Sequence, residues 1–234
     1  GGRGPRPTRP PARRQIHADP FCDADGRSHH QWFYYRVSGG RGERLRMRVL
    51  NAGAASFPRG WSNGYQAVAS YDTSSWFRVP TAYDKASGVL TIDHTPERDA
   101  CCYAYFAPYP FSRHAAFVAE IQSRDGVSLE MVGETLDGHD LDVLRVGEPA
   151  ADKPVVWVLA RQHPGETQAE WFAEGFLRRL LDPADATGRA CRARATFYVV
   201  RGGRVGGREG RGGGHGASAI THLLPPPFAL RSRA

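Results

Sequence analysis

No apolar run in the 234 residues approaches the roughly 18 to 20 needed to cross a membrane. No hydrophobic stretch of the secretory kind opens the chain either, so the expectation is a soluble, cytoplasmic protein with no membrane partner. Cysteine is scarce. Cys22, Cys101, Cys102 and Cys191 form no CxxC pair and no regular spacing, which argues against a disulfide scaffold or a structural zinc held by thiolates. Adjacent Cys101 and Cys102 would point to opposite faces of a strand and could not share a metal. Acidic residues are missing from the first fifteen positions, where five arginines give +5, and almost missing from residues 201–234, which also carry +5. Subtracting both ends from the net charge of +7 leaves residues 16–200 at about −3, a poor phosphate-tracking surface. The short Arg/Gly run near the C-terminus lacks interleaved aromatics, so an RNA-binding tail is disfavoured. No nucleic-acid partner is expected.

Residues 1–15 are Gly, Pro and Arg with almost nothing apolar, a composition that cannot offset the entropy of ordering. They read as disordered. Residues 16–108 hold short β-rich runs, Gln31–Val37, Arg44–Leu50, Tyr65–Tyr71, Ser75–Val79, Gly88–Asp93 and Cys101–Ala107, broken by Gly39-Gly40 and Asn63-Gly64. Arg44, Arg46 and Arg48 alternate with Leu45, Met47 and Val49, the period of a strand with one wet face. An antiparallel β-sandwich is expected.

Residues 109–200 have a different texture. Ser112 is a good candidate N-cap for a helix to Arg124 with Ala115, Val118 and Ile121 on one stripe. Two strands flank a turn at Leu136-Asp137-Gly138. The apolar run Val155–Ala160 suits a central strand buried on both faces. A helix over Thr167–Leu181 follows, with Phe172, Phe176, Leu177 and Leu180 as its stripe, and RATFYVV (Arg194–Val200) begins another strand. This half is expected to be an α/β mixed-sheet domain.

The strand, loop and helix place RQHPGET at the carboxyl end of a strand, where open α/β sheets bind ligands. His163 and Glu166 lie in that loop. Pro164 and Gly165 favour a turn, so an imidazole and a carboxylate three residues apart can converge on one Zn²⁺. The competing reading has His163 merely ending the strand and Glu166 favourably placed near a helix N-terminus. His29, His30 and His94 read as surface or domain-contact residues. Trp32, Trp61 and Trp76 read as core or interface aromatics.

The segment VVWVLARQHPGETQAEWFAEGFLRRLL resembles the zinc-binding strand, loop and helix of the cytosolic carboxypeptidase branch of the carboxypeptidase A superfamily. LEMVGETLDGHDLDVLRVGE resembles the opening hairpin of the same catalytic domain. QWFYYRVSG, GWSNGYQAVASYD, WFRVPTAYD and TIDHTPERDACCYAYFAPYPFSRH resemble the β-sandwich that precedes it. The resemblance runs from about His30 to Val200. It implies one zinc per site, with His163 and Glu166 as two of three protein ligands, and hydrolysis of C-terminal amino acids from peptides or proteins. Acidic, glutamate-bearing tails would be the typical substrates. It further implies a second histidine ligand, a carboxylate-binding arginine and a glutamate base after Val200.

Those residues are not found. The chain continues RGGRVGGREGRGGGHG, in which nine of sixteen residues are glycine, so neither helix nor strand is expected. His215 and His222 are poor ligand candidates, lacking an apolar strand before them. Residues 201–234 are expected to be a disordered, non-native tail, from out-of-frame translation or a fragment end, and the α/β domain to be truncated. Two ligands hold zinc poorly, so peptidase activity of the 234 residues is expected to be weak or absent. The alternative is a non-catalytic remnant acting through its β-sandwich as a binding module.

Overall fold

The computed structural model describes residues 12–16, 21–22, 28–29, 31–134, 139–162 and 165–201. It divides into two compact units, Gly1–Ala107 and Pro108–Ala234. The 1–11 and 202–234 segments, with the disorder expected of them, lie outside the described residues.

In the first unit, strands β1 (Ala12–Ile16), β2 (Phe21–Cys22) and β3 (Ser28–His29) precede β4 (Tyr34–Ser38) and β5 (Leu45–Val49). Then come β6 (Val68–Ser70), β7 (Phe77–Arg78), β8 (Thr81–Asp84), β9 (Val89–His94) and β10 (Ala100–Ala104). Two four-stranded sheets, ordered β1-β5-β9-β8 and β4-β10-β6-β7, form a sandwich, and β2 pairs with β3 separately. Both sheets feed one core: Leu45, Met47, Val49, Leu90 and Ile92 from the first, Ala69, Cys101 and Tyr103 from the second. The period-two reading of β5 holds, with its three apolar side chains buried and Arg46 paired to Asp93 directly across on β9 at 3.0 Å.

Two details depart from the sequence reading. Residues 12–15, placed in the unstructured leader by composition, belong to β1, which pairs with β5 in parallel; backbone pairing at a sheet edge needs little from the side chains, and charged edge strands are common. His94 is half-buried and bonds through Nδ1 to the buried Tyr103 Oη at 2.9 Å, so it belongs to the sandwich interior rather than to a surface. Trp61 is core, its Nε1 donating to the Ala52 carbonyl at 2.8 Å. Where the two chain segments before β9 approach most closely, Gly88 has φ 69° and a Cβ on Gly53 would lie 2.7 Å from the Gly88 Cα; both positions require glycine.

In the second unit, helix α1 (Phe111–Gln122) leads to β11 (Val127–Glu134), β12 (Asp140–Val146) and β13 (Val155–Ala160). Helices α2 (Thr167–Leu180) and α3 (Ala186–Arg194) return the chain to β14 (Thr196–Arg201). The sheet is mixed, ordered β11-β12-β14-β13, with β13 and β14 parallel and the other pairs antiparallel. Phe117 and Ile121 of α1, Ala173, Leu177 and Leu180 of α2, and Leu144, Val146, Phe197 and Val199 of the sheet make its core.

Four expectations are corrected here. Among the described residues β13 is an edge strand, not a central one, and Val156 and Leu159 are exposed. The helix α1 is capped by Pro110 with no side-chain bond, not by Ser112. Its buried stripe is His114, Phe117, Val118 and Ile121, while Ala115 is exposed. Phe172 of α2 is 61% exposed, because the buried stripe runs through Thr167, Glu170, Ala173, Glu174, Leu177 and Leu180. The turn at residues 136–138 lies outside the described residues.

Candidate functional site

Strand β13 ends at Ala160, and the loop to α2 begins with a backbone constraint. Arg161 has φ 52°, a left-handed conformation uncommon for a residue with a side chain. Its Nη1 donates to the Tyr109 carbonyl at 2.8 Å. Burial pushes the guanidinium below its ordinary value, and the Glu170 carboxylate acts in the opposite sense. Four residues on, a Cβ on Gly165 would meet nothing within 4 Å, so that position borders open space.

Glu166 occupies the N-cap position of α2, and its side chain is exposed and does not cap the helix. Its carbonyl accepts from the Ala169 amide at 3.1 Å. The N-cap position also agrees with the competing reading of Glu166 as an acid near a helix N-terminus, and the acid within the first turn is Glu170. His163 lies outside the described residues, as do His30, His215 and His222. Among the described residues, no group of three His, Cys, Asp or Glu side chains is placed to hold a metal.

Beneath the loop lies a polar cluster that sequence reading missed. Glu170 is fully buried, with His114 Nδ1 3.5 Å from its carboxylate. The other imidazole nitrogen of His114 is 3.7 Å from Asp142 on β12. One turn along α2, Glu174 is also buried. It accepts from Tyr109 Oη at 2.7 Å, from Arg113 through two nitrogens at 2.9 and 3.0 Å, and from Arg178 at 3.2 Å. Burial alone would raise the Glu174 carboxyl, but these donors outweigh it and hold it below its ordinary value. Arg113 also lies 4.2 Å over the Trp171 ring. A signal for this cluster was available: Glu170 and Glu174 sit at i, i+4 on the same stripe as Ala173, Leu177 and Leu180.

With this geometry in view, comparison with known proteins is decisive. Residues 10–106 match the cytosolic carboxypeptidase N-terminal domain, and residues 115–201 match the zinc carboxypeptidase domain. The chain belongs to the zinc carboxypeptidase family. Within it, the chain is 47% identical to a metallo-carboxypeptidase from Burkholderia cenocepacia, with a TM-score of 0.68 over 74% of this chain and 46% of that one. It is 38% identical to the Pseudomonas aeruginosa metallo-carboxypeptidase solved with (2-guanidinoethylmercapto)succinic acid, TM-score 0.71, over 81% of this chain and 49% of the other. Cytosolic carboxypeptidase 1 of Xenopus laevis is 27% identical over 76% of this chain and 18% of its own length. The chain thus spans less than half the length of these carboxypeptidase relatives. No helix among the described residues is long and apolar enough to cross a membrane.

Glu166 is the described carboxylate of the β13–α2 loop, exposed at the N-cap position of α2, and a carboxylate oxygen is a good zinc donor.

Proposed function

We propose that the chain supplies the first half of a zinc carboxypeptidase site, with His163 and Glu166 as two protein ligands, acting on the C-terminal residue of a peptide or protein. The single observation that carries this reading is the exposed Glu166 carboxylate at the N-cap of α2, in the loop that follows β13, within the matched catalytic segment. When bound, zinc polarises a scissile carbonyl and lowers the pKa of a coordinated water. The chain's own residues hold and orient: Glu166 offers its carboxylate from the N-cap position of α2, while the buried face of that helix stays packed on the sheet. A cytosolic location follows the name of the cytosolic relatives, and a preference for acidic C-termini follows only from the resemblance of the sequence motifs.

Zinc titration of the purified chain tests the ligand assignment. One zinc per chain is expected, with affinity lowered at least tenfold in His163→Ala and in Glu166→Ala, by analogy with the loss of a metal ligand. Unchanged binding in both variants contradicts it. The substrate half of the reading is tested with peptides ending in Glu, Leu or Lys, with released amino acid as the signal and a chelator as the control.

A further inference from the structure

Between α1 and the β11–β12 pair lies a cavity of about 340 Å³, within the size range of small-ligand sites. Its walls are apolar. Phe111, Ala115 and Val118 form one stripe of α1, and Leu129 of β11 faces them. Phe111 and Leu129 are 40% and 37% exposed, and Met131, next on the same face of β11, is 61% exposed. Single exposed apolar residues need no explanation, whereas several around one concavity mark a binding surface. The polar part of the lining has one sign of charge. Asp140 is exposed at the start of β12, and Asp142 follows on the same strand. Glu134, also exposed, is in register with Asp140 across the hairpin. No lysine or arginine is among the lining residues. Phe111 is held between two imidazoles, His114 stacked at 5.8 Å and His139 at 4.7 Å between ring centroids. An aromatic ring beside carboxylates attracts a cation, and apolar walls suit the methylene stem that carries one.

We propose that this groove docks a basic side chain of a peptide, arginine or lysine, with its methylene stem along Val118 and Leu129 and its cationic head at Asp140 and Asp142. Charge complementarity selects that occupant. An acidic peptide or a nucleic acid would bring like charge to three carboxylates, and a purely apolar segment would desolvate them without supplying a partner. None of the lining residues is a proposed metal donor, so the inference stands apart from the zinc reading. Asp142 also faces the buried His114 at 3.7 Å, which makes the exposed Asp140 the acid to change without disturbing the cluster under α2.

The test uses the whole 234-residue chain in the presence of a chelator. The probe is a fluorescent Leu-Arg-Leu peptide, blocked at both ends so that it carries no C-terminal carboxylate. Its citrulline counterpart keeps the shape without the charge, and agmatine offers the guanidinium without a peptide. The arginine peptide is expected to bind at least about tenfold more tightly than either and to slow amide exchange in α1 and β11. Asp140→Asn should weaken it about 5- to 50-fold, and Ala115→Trp, which fills the cavity from an exposed position of α1, should abolish binding. Asp152→Asn, an exposed acid of the same unit that does not line the groove, should leave it within about twofold. Several results overturn the proposal: equal binding of the arginine and citrulline peptides, unchanged affinity in Asp140→Asn, agmatine as tight as the peptide, or no binding at about 1 mM peptide. Urea unfolding checks that each variant folds. Should Ala115→Trp fail to fold, Leu129→Gln takes its place, and unchanged binding there overturns the proposal equally.

Discussion

The sandwich and the α/β unit bury different things. In the sandwich the fully covered side chains are apolar or aromatic, and Ser70 is its single buried polar residue among those described. The α/β unit buries His114, Thr167, Glu170, Glu174 and Thr196, and the three titratable side chains cluster along α1 and the face of α2 beneath the candidate metal loop. Charge inside a protein costs desolvation that packing alone would avoid. A domain whose task is only to be folded has no need of it, whereas a loop that must hold two donors in fixed relation does. The buried charge thus falls in the unit that matches the zinc carboxypeptidase domain.

The largest effect expected within this contrast comes from Glu174→Ala, which leaves Arg113 without its buried partner. It should lower the stability of the α/β unit by about 3 to 5 kcal/mol and leave sandwich unfolding unchanged, read by residue-resolved hydrogen exchange. An equal loss in both units would erase the distinction. Leu90→Ala is the mirror experiment in the sandwich, where Leu90 is completely buried. It should cost about 2 to 5 kcal/mol through transfer and cavity terms, with no change in zinc affinity. Next is Gly188→Ala: a Cβ there would lie 2.6 Å from the Arg179 carbonyl, and overpacking of this kind costs about 1 to 3 kcal/mol.

The smallest expected effect is in pH. Because Glu174 is held below its ordinary value of 4.5, its contribution is fully present above that pH and is lost as pH falls through the depressed folded value. The α/β unit should therefore lose stability below about pH 4.5 more steeply in the parent than in Glu174→Gln. In the sandwich, amide donors at Ser75 and Ser74 hold the exposed Asp72 down to about 2, so its contribution fades later, between its ordinary 3.8 and that value.

What was legible in the sequence follows the same division. Strand β5 announced itself because one sheet face is wet and the other dry, as the Arg46 and Arg48 alternation shows, whereas β9 and β10 were legible as β-rich apolar runs between turns. Strand β8, a half-exposed TAYD following Pro80, has too weak a pattern to stand out. Helix α3 was missed for a related reason: ATGRACRAR is rich in arginine and buries only Gly188, and its stop and start signals, Asp185 bonding to the Gly188 amide at 2.7 Å included, read equally well as loop. Val155–Ala160 looked central because its composition is that of a strand covered on both sides, a property of neighbours that the described sheet does not supply at its β13 edge. The loop with Glu166 was visible as a motif. Of the supporting cluster only the i, i+4 spacing of Glu170 and Glu174 on the apolar stripe was legible; the burial of His114 against Glu170 is decided by which way two helices face.

The most direct measurement is residue-resolved hydrogen exchange of the chain with and without zinc, in the parent and in Glu166→Gln. The account predicts that zinc slows exchange at the end of β13 and in the first turn of α2, leaves the sandwich unchanged, and loses this effect in the variant. Equal protection of both units, or undiminished protection of α2 in Glu166→Gln, would contradict it.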